Sequence, residues 1–321
     1  MSERSPRVSL GFFPTPLEPL SRLSNALQGP NIWIKRDDQT GLACGGNKTR
    51  KLEFLMADAI AQGSDTVITA GAAQSNHCRQ TAAAAAKLGL HCHLLLGGTA
   101  PSDITGNLLL DSLFNAQIHW AGTDRKGEAL HDLQHQLQAQ DLKPYLVPYG
   151  GSNPIGAQGF VAAIAELKSQ LDSLKVELDA IIVASSSGGT QAGMAAGLRQ
   201  QGIDCQLIGI SIDKDEGSTA YEESLAALAS DALQESFLPS DFTVDRSYLG
   251  DGYGVVGTAE REAIALLART EGILVDPVYS GRAFAGMLDL INRGAFAHAR
   301  NILFWHTGGT PAIFAYGAQL L

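Results

Sequence analysis

This chain of 321 residues is short of positive charge, long apolar runs and paired cysteines. Lys and Arg number 23 against 33 Asp and Glu, a formal charge of −10 at pH 7. A surface of that sign argues against nucleic acid or an anionic membrane as partner, because both are held through basic patches. No stretch approaches the ~18 apolar residues of a membrane helix. Behind Met1-Ser2-Glu3-Arg4-Ser5-Pro6-Arg7 there is no apolar segment that would serve as a signal peptide. Cys44, Cys78, Cys92 and Cys205 stand far apart, without a C-x-x-C pair or metal-like spacing. Isolated thiols and no leader fit a reducing cytoplasm, and no metal site is expected. His91-Cys92-His93 is the one metal-like tract, and its setting, Leu88 to Leu96, reads as ordinary strand. With 17% charged and 45% hydrophobic residues the chain is not disordered.

What it does have is length for about two domains and an excess of glycine. The 35 glycines in 321 residues exceed the usual ~7%. Short apolar strands alternate with helical stretches along the sequence: strand 31–36, helix 49–62, strand 66–70, helix 79–88, strand 91–96, helix 104–113, strand 117–120, helix 126–139. After Tyr145–Pro148 follow helix 156–171, strand 180–184, helix 190–200, strand 206–212, helix 258–271, helix 282–293, strand 301–305 and a terminal helix from Pro311. Such alternation predicts an α/β protein with mainly parallel, helix-covered sheets. Pro144 to Pro154 is the best candidate for a domain crossing.

In such sheets ligands sit beyond the carboxyl ends of the strands. Four loops rich in glycine and small polar residues fall there: Gly45-Gly46-Asn47-Lys48-Thr49, Ala70 to His77, Ser185-Ser186-Ser187-Gly188-Gly189-Thr190, and His306-Thr307-Gly308-Gly309-Thr310. The first nearly spells a phosphate-binding P-loop, but Asn47 separates Gly46 from Lys48-Thr49 and would move the lysine off the cradle. A lysine at a helix start opposes the dipole, so its neutral form is easier to reach, and neutral lysine forms Schiff bases. The third loop has the strand–glycine–helix layout of an anion site. Its serines suit a terminal phosphate. A dinucleotide motif would want glycine where Thr190 stands, although Asp213 could imitate the ribose-binding acid, so an NAD-dependent dehydrogenase stays open on pattern alone. Gln74-Ser75-Asn76-His77 exceeds what a helix cap requires and offers donors to a substrate carboxylate. An imine lysine, a single-phosphate cup and a carboxylate site together point to pyridoxal 5′-phosphate acting on an amino acid.

Several motifs then carry a resemblance: Pro14 to Glu18, Ile34 to Asp38, Gly45 to Phe54, Gln74 to His77, Gly252-Tyr253-Gly254, Asp276-Pro277-Val278-Tyr279 and His306 to Gly309. Together the chain resembles the D-cysteine desulfhydrase and 1-aminocyclopropane-1-carboxylate deaminase family of tryptophan-synthase-β-like pyridoxal phosphate enzymes (fold type II). The resemblance implies that Lys48 holds the cofactor, that Lys51 reaches its phosphate, and that Ser187, Gly188, Gly189 and Thr190 form the phosphate cup. It implies that Asn76 bonds the ring hydroxyl and that Ser75 contacts the substrate carboxylate or moves protons, with Gln74 and His77 beside them. Tyr253 and Tyr279 would flank substrate and ring. Ser280 and Thr307 would meet the pyridine nitrogen, where the deaminases carry glutamate and leucine. It also implies a continuous smaller domain at 52–152, a larger one from 1–51 plus 153–321, and a homodimer.

Hydroxyls at the pyridine nitrogen make a weaker electron sink than a carboxylate, enough to eliminate a good β leaving group but poorly suited to opening a cyclopropane ring. The expected reaction is α,β-elimination from D-cysteine to pyruvate, ammonia and hydrogen sulfide. L-Cysteate sulfo-lyases resemble the chain as well, and a sulfonate would want extra cations from Arg79, His77 or Arg282. A non-enzymatic amino-acid-binding module on the same fold would have no use for Lys48.

Overall fold

A computed structural model describes residues 6–124, 126–214 and 219–321. Met1 to Ser5, part of the segment read for a leader, lie outside the described residues. The strands are β1 (Leu17–Pro19), β2 (Asn31–Arg36), β3 (Thr66–Ala72), β4 (His91–Gly97), β5 (Gln117–Trp120), β6 (Pro144–Leu146), β7 (Ala180–Ser185), β8 (Gln206–Ser211), β9 (Thr243–Asp245) and β10 (Asn301–His306). They form two sheets, one of six strands in the order β1-β2-β10-β7-β8-β9 and one of four in the order β5-β4-β3-β6. Every pairing is parallel except that of β1 with β2. The smaller sheet thus comes from one continuous stretch, and the larger draws on both sides of it.

Parallel strands must be covered on both faces, and period-two alternation divides their side chains between the two covers. On β10, Ile302 and Phe304 join a core with Phe284, Met287, Ile264 and Leu267 of the helices Ser280–Asn292 and Thr258–Glu271. The intervening Leu303 and Trp305 pack the other way, against Phe160, Ile164 and Met194 of the helices Pro154–Leu174 and Gly189–Gln201. The small sheet is covered likewise. Val67, Leu94 and Leu96 face the helices Lys48–Ala61 and Asn76–Leu88, while Ile68, Ala70 and Leu95 face Leu130–Gln138.

Several element bounds differ from the sequence reading for local reasons. The helix expected from Arg79 begins at Asn76, because the Ser75 hydroxyl accepts from Cys78 N at 3.2 Å and caps it. The helix expected from Gly156 begins at Pro154, a favoured first-turn proline, with the Asn153 side chain accepting from Gly156 N at 2.8 Å. The terminal helix is two short pieces, Thr310–Ile313 and Gly317–Leu320. Ala220–Leu233, left unassigned in the sequence, is helical.

One buried ionic network sets the start of the helix that carries Lys48. Arg50 donates to Asp37 Oδ1 at 2.8 Å and to Glu166 Oε1 at 2.9 Å, and Lys35 Nζ donates to Glu166 at 2.5 Å. Asp37 also accepts from Trp305 Nε1 at 2.8 Å. The helix is thereby tied to β2, β10 and the long helix Pro154–Leu174.

Candidate active site

The loops that follow β2, β3, β7 and β10 meet around one cavity. Its lining includes Lys48, Ser75, Asn76, His77, Tyr149, Ser187, Gly188, Thr190, Tyr279 and Thr307. The glycine pairs explain how the loops come so close. Gly308 has φ +96°, and a Cβ on it would stand 2.6 Å from Gly46 Cα. The lysine loop is pinned there as Asn47 N donates to Thr307 O at 3.0 Å.

Lys48 is the first residue of its helix, as the sequence pattern implied. Burial brings its ammonium down from 10.5 to about 8, against the pull of Asp276 and helped by Arg79. Nζ donates to Asn47 Oδ1 at 3.1 Å, and Asn47 Nδ2 donates to Thr190 Oγ1 at 3.1 Å. Asn47 therefore links the lysine to the far loop, a role that reading it as a P-loop interruption concealed.

Across the cavity the helix Gly189–Gln201 presents its N-terminus, with Gly188 at φ +89°. All three serines ahead of it line the cavity, and Ser187 reaches the neighbouring loop: its hydroxyl lies 2.8 Å from that of Ser152. Ser185 bonds Gln191 at 2.5 Å and Tyr221 at 2.8 Å, and Ser186 donates to Asp213 at 2.8 Å. Asp213, the candidate ribose acid, is thus engaged by the glycine loop itself. Ser152, unmarked in the sequence, also accepts from Gly189 N at 3.0 Å and from Lys51 Nζ at 3.3 Å. Lys51 is almost fully buried, donates to Gly150 O at 3.0 Å, and is held well below the usual lysine range by burial and by Lys48.

A helix N-terminus at the cavity, hydroxyls on both sides and a lysine of lowered pKa opposite suit a phosphate monoester bearing a carbonyl. On that donor set, the residues present fit pyridoxal phosphate.

The remaining expected residues divide. Ser75, Asn76, His77, Tyr279 and Thr307 line the cavity. His77 is buried, and burial followed by Lys48 and Lys51 pushes it well below its ordinary value, so it is neutral. Tyr253 reaches the cavity through Tyr279: their hydroxyls lie 2.5 Å apart and their rings pack edge to face at 5.8 Å. Gln74 turns away; its Oε1 accepts from Asn107 N at 2.8 Å and its Nε2 donates to Thr105 O at 3.0 Å. Ser280 is fully buried, and its hydroxyl lies 2.5 Å from Asp276 Oδ1 and 2.9 Å from Gly308 O, behind the lining. Its sequence position, directly after a lining tyrosine, did not reveal that Asp276 sits between them in the turn.

Of the cations considered for a sulfonate, His77 lines the cavity, whereas Arg79 and Arg282 are not among its lining residues, and Arg79 keeps Nε and Nη2 without a hydrogen-bond partner among the described residues. Arg79 donates to the carbonyls of Ala43 and Gly45, bracing the lysine loop. Arg282 pairs with Glu260 at 2.8 Å and donates to the carbonyls of Ile212, Gly252 and Val255. Among the described residues no three His, Cys, Asp or Glu gather into a metal site, and no helix is long and apolar enough to cross a membrane.

Known proteins resemble the chain over nearly its whole length. Residues 8–308 match a family model described as pyridoxal-phosphate dependent enzyme. The chain is 48% identical to D-cysteine desulfhydrases from Salmonella newport (strain SL254) and Salmonella typhi, covering 98% of this chain and 97% of each relative. A solved structure of an ACC deaminase homologue superposes with a TM-score of 0.90 at 36% identity, covering 98% of this chain and 95% of that one.

Proposed function

The chain belongs to the pyridoxal-phosphate dependent enzymes, and from that premise we propose that it is a carbon–sulfur lyase converting D-cysteine to pyruvate, ammonia and hydrogen sulfide. The observation that carries the reading is Lys48, brought down to about 8 by burial, facing across one cavity the cup of Ser187, Gly188 and Thr190.

Pyridoxal phosphate supplies an electron sink for the charge left when an amino acid loses its α-proton. Lys48 would hold the cofactor, with Ser187, Gly188, Gly189 and Thr190 on its phosphate and Lys51 acting on that cup through Ser152. The first N–H groups of the helix Asn76–Leu88, with the Ser75 hydroxyl beside them, take the substrate carboxylate. With a value near 8, Lys48 Nζ can accept the α-proton and give it up again at neutral pH. Tyr279 is held well above the ordinary phenol range, by burial first and Tyr253 next, so it stays protonated and donates to the departing sulfur. Losing a thiolate carries negative charge out of the site, which a modest sink permits.

Because neither Arg79 nor Arg282 is among the lining residues, the pocket has little to hold a sulfonate, and sulfide release is the better match. The resemblance also supports a cytoplasmic homodimer and a smaller domain at 52–152, the stretch that contains the four-stranded sheet; sedimentation and limited proteolysis test both. The deciding assay is a panel of D-cysteine, L-cysteine, L-cysteate, β-chloro-D-alanine and 1-aminocyclopropane-1-carboxylate, with pyruvate, 2-oxobutyrate, sulfide and sulfite measured. Preferred sulfite release from L-cysteate, or ring opening at a comparable rate, would sink the reading.

A further inference from the structure

We propose that Asn107, on the helix Gly106–Leu113, is a positioning residue that holds the Asn76 side chain with its amino group turned to the cavity. Asn107 is fully buried and meets the segment Gln74–Asn76 three times. Its backbone N donates to Gln74 Oε1 at 2.8 Å, and its Nδ2 donates to Gln74 O at 2.9 Å and to Asn76 Oδ1 at 2.8 Å. A backbone carbonyl can only accept, so the contact with Gln74 O identifies the nitrogen end of the Asn107 amide. That nitrogen can only donate, so the Asn76 atom facing it is the oxygen. The Asn76 amino group is thereby left for the cavity that Asn76 lines.

Helix capping does not account for this arrangement, because Ser75 already performs it on Cys78 N. Gln74 completes the clamp by donating to Thr105 O at 3.0 Å, which joins the start of one helix to the start of the other. Without Asn107 the Asn76 amide is free to turn and offer its carbonyl oxygen to the same point. An amide N–H stabilises an anionic oxygen there and a carbonyl repels it, so the turn reverses the electrostatics felt by a bound ring hydroxyl.

The inference rests on the proposed function and on the contact of Asn76 with the ring hydroxyl of pyridoxal phosphate that the resemblance implies. The test is a pH titration of the visible band, near ~410–430 nm, of the cofactor-loaded protein, with thermal unfolding recorded on the same samples. Asn107→Asp keeps the shape but replaces the donor by an acceptor. It is expected to raise the titration midpoint by about one pH unit, the scale of one hydrogen bond to a charged group. Asn76→Ala should move the midpoint in the same direction, and Asn107→Asp should add nothing in that background. Should the aspartate prevent folding, Asn107→Ala in the two backgrounds reads the same coupling. An unmoved midpoint in a folded variant, or shifts that add, overturns the proposal while the proposed function stands. No band in the unsubstituted protein after cofactor addition overturns both.

Discussion

The Ser152 hydroxyl lies 2.8 Å from that of Ser187 and also accepts from Gly189 N at 3.0 Å. A hydroxyl from a distant loop thus sets the rim of the proposed phosphate cup, and it links that rim to Lys51 Nζ at 3.3 Å. Removing it by Ser152→Ala should weaken cofactor retention about tenfold, the effect of about 1–2 kcal/mol of hydrogen bonding. Equilibrium dialysis of the cofactor measures this, and retention equal to that of the unsubstituted protein would refute the role.

Lys51 has no carboxylate partner among the described ion pairs, and burial and Lys48 hold it well below its ordinary range. A bound phosphate dianion would raise it again. Binding of inorganic phosphate should therefore be accompanied by proton uptake, read as a slope of binding heat against the ionisation enthalpy of the buffer. Lys51→Met should flatten that slope in calorimetric titrations.

Lys48 is neutral above about 8 rather than above 10.5. Cofactor capture, which needs the free amine, should accelerate through pH 8 and level off beyond it. Asp276 pulls the value up, so Asp276→Asn should move the capture midpoint to lower pH in stopped-flow absorbance. Between pH 8 and 10.5 the unfolded chain binds the extra proton, so stability of the cofactor-free protein rises with pH across that window. Below it the cost of the buried charge is fully present, and Lys48→Met should gain ~1–3 kcal/mol at pH 7 in denaturant unfolding, while losing the visible band and the lyase activity.

Arg282 holds the loop of Tyr253 from beneath, through Gly252 O at 3.1 Å and Val255 O at 3.0 Å, and neutralises Glu260 at 2.8 Å. Arg282→Met leaves that acid buried and unpaired. A loss of about 3–5 kcal/mol is expected, with Arg282→Lys recovering part of it. If the arginine served the substrate instead, KM would rise without a fall in unfolding midpoint.

Most of the residues that line the cavity were legible because they cluster in sequence. Gly45 to Thr49, Gln74 to His77 and Ser185 to Thr190 each lie between a strand and a helix, and their side chains are too polar or too small for a core. Ser152 and Asn107 were not legible as site residues. Each acts through hydrogen bonds to residues on other elements, and nothing in its local sequence marks such bonds. Ser280 and Gln74 failed in the opposite way. They sit beside lining residues in sequence, yet their side chains bond Asp276 and Asn107 respectively.

By itself the sequence determined the α/β class, the loops at the strand ends and the residue types of a phosphate and imine site. Those follow from periodicity and local chemistry, which act over a few residues. Tertiary structure decided which groups face the cavity and what their charges are. Burial beside Asp276 and Arg79 gives Lys48 its value near 8, and a backbone carbonyl at Gln74 sets the direction of two amides. Desolvation and hydrogen-bond direction depend on neighbours brought together only by the packed sheets.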